Sequence, residues 1–356
     1  MIMAKAPAKA ILLGEYSVMN GNPAIAATVD ERTYVSINER EEDGFSEEYS
    51  VAGDVSRYGN RTRDSFFLKR EEVYDNYKIF EDFYTHKKFD ELGKMGVKEA
   101  LCVLYQSLIE RMGYKPIDVE VRQSRELKGL GGSASTFSAF VSAYAGLMGK
   151  DLSKQEVANI ANMGDIICHG GEPSGTDPNI ICHGGFGVFD KKNGFQKLDI
   201  DYEIPMVIVN TGEISETSKG IEYVRRLKEE EPELVDDVMA NLGSITEASL
   251  EDLRRKDLAG FGNKMYSYYD ELSRLEGLLT PKLKMIMDYA RDNALYGAKP
   301  TGSWQGGNCI ILASDANEAL NLEYRLKEQK IFEDVFVTNL GVEGVKVDER
   351  MKGLKI

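Results

Sequence analysis

Three glycines and two serine hydroxyls crowd into eight residues, Lys128-Gly129-Leu130-Gly131-Gly132-Ser133-Ala134-Ser135, immediately ahead of a long apolar stretch. From Ala134 through Phe137, Phe140, Val141, Tyr144 and Met148 the apolar side chains recur at helical spacing, so Ser133 and Ser135 are expected in the first turn of a helix. Unpaired N–H groups and the helix dipole favour an anion at such an end. Glycine lets the backbone approach a phosphate closely, and a serine hydroxyl can ligate the magnesium that travels with it. The segment from Gly129 to Ser135, with Lys128 beside it, therefore reads as a phosphate cradle. The plain alternative is a glycine-rich turn with a serine cap. No glycine here is followed by the Lys-Ser/Thr pair of a P-loop, and after Gly129 and Gly131 the third glycine of a dinucleotide fingerprint is missing.

At 356 residues, 42% hydrophobic and 29% charged, the chain is long enough for two cored domains and shows no sign of disorder. Four cysteines, Cys102, Cys168, Cys182 and Cys309, are too few for a disulfide framework, and the first residues lack the pattern of a secretory leader. A reduced, cytoplasmic protein is expected. A net charge of −15 and the absence of any apolar run of spanning length argue against nucleic acid or membrane as partners. The same charge means that magnesium and a few placed Lys and Arg must invert the field locally if phosphates bind.

Residues 11–13, 24–29 and 34–37 have strand character, with breaks at Gly14, Gly21-Asn22 and Asp30. The polar segment 41–94 reads as an insertion over the sheet, with a short helix near 71–83. A helix at 97–112, a strand at 117–121 and a helix at 152–163 come next. A boundary near 195–205 divides the chain into domains 1–198 and 199–356. The second carries helices near 221–227, 234–249, 258–275 and 281–293, then strands at 309–313 and 335–338 around a helix at 316–329.

Three further blocks stand in order with the glycine loop: Ala6-Pro7-Ala8-Lys9-Ala10-Ile11-Leu12-Leu13-Gly14-Glu15-Tyr16-Ser17-Val18, then Pro173-Ser174-Gly175-Thr176-Asp177, then Gly297-Ala298-Lys299-Pro300-Thr301-Gly302-Ser303-Trp304-Gln305-Gly306-Gly307-Asn308-Cys309-Ile310. Together the four resemble the GHMP kinases, in the mevalonate kinase and phosphomevalonate kinase branch. The resemblance implies a two-domain α+β fold: an N-terminal mixed α/β sheet domain with the phosphate loop, and a helix-rich, ferredoxin-like C-terminal domain. It also implies an ATP-dependent, magnesium-requiring phosphotransferase of the mevalonate pathway, acting on a small-molecule acceptor. A homodimer is left open.

By the same resemblance Lys9 and Asp177 are catalytic. Lys9 stabilises charge on the acceptor oxygen and γ-phosphate, and Asp177 is the base or orienter for the acceptor hydroxyl. Ser133 and Asp165 are the metal positions, although the family carries a longer glutamate where Asp165 stands. Gly132 replaces a family serine. Glu15, Tyr16, Ser174, Thr301 and Gly302 fall on the substrate side. Trp304 interrupts the family's glycine run and is either a specificity wedge or, more ordinarily, a loop-packing residue.

The sequence Ile166-Ile167-Cys168-His169-Gly170-Gly171 recurs as Ile180-Ile181-Cys182-His183-Gly184-Gly185. Two Cys-His pairs raise the alternative of a zinc protein, but on extended segments neighbouring residues face opposite ways and each pair offers one ligand. For the acceptor, Glu15-Tyr16, Lys128 and Gly306-Gly307-Asn308-Cys309 resemble phosphomevalonate kinases more than mevalonate kinases. The expected acceptor is thus a monophosphorylated mevalonate, either the 5-phosphate of mevalonate 5-phosphate or the 5-hydroxyl of mevalonate 3-phosphate, with Arg61, Arg63, Lys69 and Arg70 as either additional cations or a solvated basic face. Plain mevalonate is the alternative.

Overall fold

The computed structural model describes residues 1–51, 64–127, 129–171, 173–190, 192–213 and 217–348. The first half of the chain forms β1 (Ile2–Leu13), β2 (Ala24–Glu39), β3 (Phe45–Val51), β4 (Asp64–Leu68), α1 (Arg70–Thr85), α2 (Phe89–Leu92), α3 (Val97–Met112), β5 (Ile117–Gln123), α4 (Gly132–Leu147), α5 (Lys154–His169) and α6 (Thr176–His183). The second half adds β6 (Phe186–Asp190), β7 (Gly194–Leu198), β8 (Ile204–Asn210), α7 (Thr217–Glu230), α8 (Pro232–Arg254), α9 (Leu258–Leu272) and α10 (Pro281–Asp292). It ends with β9 (Gly297–Thr301), β10 (Asn308–Leu312), α11 (Ala316–Glu328), β11 (Asp334–Leu340) and β12 (Lys346–Asp348). The expected mixed α/β architecture is present. No helix among the described residues is long and apolar enough to cross a membrane.

Contacts divide the chain into two units: Met1–Ala8 with Glu31–Gly184 and Glu343–Ile356, and Lys9–Asp30 with Gly185–Val342. The division passes through β1 and β2. β2 itself is one strand rather than the two expected on either side of Asp30. That carboxylate is exposed, so it does not interrupt the ladder.

In the first unit β4, β3, β5 and the later part of β2 pair in that order, β3 and β5 in parallel and the other pairs antiparallel. Residues 41–94 thus contribute β3 to the sheet instead of only lying over it. Phe45 anchors that strand, fully buried and 5.1 Å from the Tyr105 ring of α3. Tyr105 in turn meets Tyr144 of α4 edge to face at 5.5 Å, and the Tyr144 hydroxyl donates to the Gly113 carbonyl at 2.7 Å. Helices α3, α4, α5 and α6 pack on one another behind this cluster.

Two helices of this unit differ in extent from their sequence patterns. Helix α5 opens with a capping box, in which Ser153 Oγ accepts from the Glu156 amide at 3.2 Å and the Glu156 carboxylate accepts from the Ser153 amide at 2.8 Å. It continues beyond the expected 163 because Ile166 and Ile167 remain buried, and it stops at Gly170 with φ 61°. The segment after Gly175, expected as a turn, is the short helix α6, with Pro178 in its first turn where a missing N–H costs nothing.

In the second unit β8 lies between β11 and β10, with β9 beyond β10, all antiparallel. β6 pairs with β7 and with the early part of β2. Every residue of β10 is buried, which suits the unbroken apolar run Cys309-Ile310-Ile311-Leu312. Helix α9 packs against α8 and approaches β9 so closely that a Cβ on Gly262 would lie 1.9 Å from the Tyr296 carbonyl oxygen. Replacing a mid-helix glycine by alanine normally gains about 1 kcal/mol of helix propensity. Here the overlap is with backbone that cannot rotate away. Gly262→Ala is therefore expected to destabilise the protein by about 1–3 kcal/mol net, read as a lower urea midpoint at unchanged m-value.

Candidate active site

In the first unit the glycine loop delivers the chain to α4 as its sequence requires. Gly131 is the N-cap residue, held at φ 74°, a conformation that glycine adopts without strain. No side chain caps the helix, and the first amide to bond back is that of Ser135, to the Gly131 carbonyl at 2.9 Å. The amides of the preceding first-turn residues therefore have no helical acceptor, as a phosphate cradle needs. The two serines part company. Ser135 is fully buried and donates its hydroxyl to the Ala6 carbonyl at 3.1 Å, so it faces the interior rather than the loop mouth. Two residues rotate a helix by about 200°, which leaves Ser133 on the other side. There its hydroxyl, close to Cys168 on α5, works against the rise that burial and then Asp165 impose on that thiol.

Cys168 lies at the end of α5 that also carries Asp165 and His169. Asp165 is 2% exposed. The His169 ring stands one turn further on, with Nδ1 3.0 Å from the Asp165 carbonyl oxygen and 3.4 Å from its Oδ1. Asp177, in the first turn of α6, completes the group, and one ligand atom of each of the three lies within 4.8 Å of the others. The hydrogen-bonded Asp165 carboxylate, helped by the charges of Asp165 and Asp177 and opposed by desolvation, pushes His169 up from 6.5 to about 9. Ser174 prepares this end of α6: its hydroxyl lies 2.8 Å from Thr176 Oγ1 and accepts from the Thr176 amide at 3.3 Å.

The Cys-His pairs lie on helix C-termini, not on the extended segments expected. Cys182 is buried with Sγ 3.4 Å from Ser138 Oγ, and His183 Nδ1 sits 3.0 Å from the Asn179 carbonyl of its own helix. His169, weighed in the sequence only as a zinc ligand, instead joins two carboxylates. The signal that would have found this is the four-residue spacing of Asp165 and His169 on a helix.

In the second unit Lys9 is buried within β1. Glu15 is buried too, and its Oε1 accepts from Lys299 Nζ at 2.5 Å. Lys299 is fully buried. It also donates to the Pro300 carbonyl at 2.7 Å and lies 5.6 Å from the ring centres of both Tyr268 and Trp304. Burial lowers its pKa, against the opposing pull of Glu15. The sequence pattern around Lys299 gives that residue no role of its own.

Tyr16 has a positive φ of 63°, uncommon for a tyrosine, and its hydroxyl donates to the Ser303 carbonyl at 2.5 Å. Trp304 is fully buried and stacks on Tyr269 at 5.9 Å, so it packs its loop as the plainer reading held. Thr301 donates its hydroxyl to the Ile11 carbonyl at 3.0 Å, and the space beside Gly302 is open for 4 Å. Lys128, Arg61 and Arg63 lie outside the described residues, while the Arg70 guanidinium covers the Tyr114 ring at 4.4 Å.

Lys299→Met should destabilise the protein by about 3–5 kcal/mol, because it leaves the Glu15 carboxylate buried without its cation. Adding Glu15→Gln should recover much of that loss in urea denaturation. Separately, a histidine whose folded pKa is raised contributes stability that is complete below its unfolded value and is lost as pH rises through the folded one. Without divalent metal, stability should therefore decline between pH 6.5 and about 9, and His169→Ala should remove that component.

Residues 97–185 match the GHMP kinases N terminal domain and residues 249–331 the GHMP kinases C terminal domain. The chain is 30% identical to a mevalonate kinase of Pyrococcus furiosus over 362 aligned positions, covering 99% of each chain. It is also 30% identical to a mevalonate kinase of Pyrococcus horikoshii, covering 88% of each. Among solved structures, an L. major mevalonate kinase in complex with R-mevalonate shares the fold at TM-score 0.75 and 21% identity, over 96% of each chain. These relatives overturn the expected monophosphorylated acceptor, since both Pyrococcus proteins are named for mevalonate itself. Of the residues that prompted it, Tyr16 is engaged by the Ser303 carbonyl, beside a Glu15 paired with Lys299, so this tyrosine packs its own loop instead of marking an acceptor's phosphate. The chain belongs to the GHMP kinases, in the mevalonate kinase and phosphomevalonate kinase branch, and is an ATP-dependent phosphotransferase.

Proposed function

We propose that the protein transfers the γ-phosphoryl group of ATP to the 5-hydroxyl of unphosphorylated mevalonate. The observation that carries this reading is the end-to-end similarity to the Pyrococcus mevalonate kinases, and the shared fold of the L. major enzyme in complex with R-mevalonate supports it. In this reaction the acceptor oxygen bonds to the γ-phosphorus as the bond to the bridging oxygen of ADP breaks, and the hydroxyl proton goes to a base. Asp177 takes that proton. Lys9 offsets the charge that develops on the acceptor oxygen and the γ-phosphoryl oxygens. The first-turn amides of α4 bind nucleotide phosphate.

The donor set beside those amides suits magnesium: the Ser133 hydroxyl and the nearly buried Asp165 carboxylate are hard oxygen ligands. When bound, the ion neutralises the charge of the triphosphate. Glu15 and Tyr16 act on the substrate side through the loop they hold; Thr301, anchored to Ile11, begins that loop, and open space lies beside Gly302. We place the activity in the cytoplasm, in keeping with the chain's sparse cysteines.

The reading is tested by coupled ADP release against mevalonate, mevalonate 5-phosphate and mevalonate 3-phosphate. Mevalonate should be turned over fastest; faster turnover of either monophosphate overturns the assignment. Lys9→Ala and Asp177→Ala should each lower kcat by about a hundredfold or more with little change in ATP affinity, the pattern of groups acting in the transition state. Near-normal turnover in both would remove them from the chemistry.

A further inference from the structure

Asp165 and His169 are four residues apart on α5, so their side chains share one face of the helix. Asp177 faces them from α6, and the ligand atoms of the three residues fall within 4.8 Å of one another. Two ligands of a single small divalent ion at ordinary bond lengths are at most about 4.2 Å apart. A contraction of a few tenths of an ångström would therefore let one ion reach the whole group. The imidazole is held in place on its own helix. Its Nδ1 is taken by the Asp165 carbonyl oxygen at 3.0 Å, which fixes the ring and leaves Nε2 as the second ring nitrogen. Metal-binding histidines are commonly held in this way, with one ring N–H donated to a carbonyl or carboxylate and the other nitrogen on the ion.

We propose that His169 is itself a ligand, placing a ring nitrogen on the divalent ion held by Asp165, and that it biases this kinase toward Mn2+ and similar borderline ions over Mg2+. The proposal deepens the metal site of the proposed reaction and rests on that reading for the nucleotide that brings the ion. An all-oxygen site suits magnesium, and one imidazole nitrogen shifts the balance toward manganese or cobalt. Ligation requires the neutral ring, its proton leaving to solvent as the ion binds. The bias distinguishes ligation from mere support. A histidine that only steadied the Asp165 carboxylate would strengthen both ions alike, whereas a nitrogen ligand favours one of them.

The chain has three histidines, His86, His169 and His183, which makes isotopic labelling of histidine alone informative. Protein carrying 15N-histidine is loaded with Mn2+ and a non-hydrolysable ATP analogue of natural isotopic abundance, and pulsed EPR is used to look for 15N coupling to the ion. Wild-type protein should show the coupling, His86→Gln and His183→Gln should retain it, and His169→Gln should lose it. His169→Gln should also weaken Mn2+ binding by about tenfold or more, with a smaller loss for Mg2+. Absence of 15N coupling in the wild type overturns the proposal without calling on any variant, and so does an equal loss of both ions in His169→Gln. If ADP release from mevalonate is observed while the coupling is absent, ligation by His169 fails and the kinase reading stands. If the Mn2+ nucleotide complex does not bind at all, both fail.

Discussion

A carboxylate 2% exposed is a demand that the surrounding structure must meet, and the first unit is arranged around meeting it at Asp165. Burying an unpaired charge costs several kcal/mol, so such a group persists only beside a cation or donors. The end of α5 supplies His169, which the two neighbouring aspartates hold in its charged form. The N-terminus of α4 adds the Ser133 hydroxyl beside Cys168, and the start of α6 brings Asp177. Three helix ends thus converge on one charged cluster. A site that concentrates negative charge next to unpaired amides is suited to a metal-bound polyphosphate, where the cation answers the carboxylates and the amides answer the phosphate.

The second unit solves the same electrostatic problem with an internal pair. Lys299 and Glu15 are both buried, and the lysine is enclosed by the faces of Tyr268 and Trp304. An ion pair of this kind contributes little net stability but specifies one arrangement, because any other leaves a charge stranded. What it specifies here is the course of the segment after Gly14 and of the loop after Thr301, which the Tyr16 hydroxyl also binds at Ser303. The positive φ angles of Tyr16 and Trp304 are tolerated because this packing holds them.

Much of the framework was legible from periodicity. The apolar spacing of residues 97–112 marks a helix that the structure bounds at the same two residues, and the apolar run at 309–313 marks a strand that the structure places at 308–312 with every residue buried. Strand β3 was hidden because Phe45, Tyr49 and Val51 are scattered among serines and glutamates, and its place in the sheet depends on pairing with β5, far along the chain. Helix α6 was hidden by its length, eight residues opening with Thr-Asp-Pro after the N-cap Gly175, a composition shared with turns. The inference of a phosphorylated acceptor failed for a related reason. A sequence motif shows that a residue differs from a pattern, but not whether it faces a ligand or its own loop.

By itself the sequence determined that this chain carries a glycine-opened helix N-terminus and the ordered blocks of a GHMP kinase, because glycine conformations, helix-end amides and short-range spacing are local properties. Only the tertiary structure decided the direction of each side chain. Ser135 turned inward to Ala6 while Ser133 met Cys168, Glu15 was claimed by Lys299 from 284 residues away, and His169 came to lie between Asp165 and Asp177. Each of these outcomes rests on burial and on partners distant in the chain or on a neighbouring helix, and those are set by packing, which no local pattern encodes.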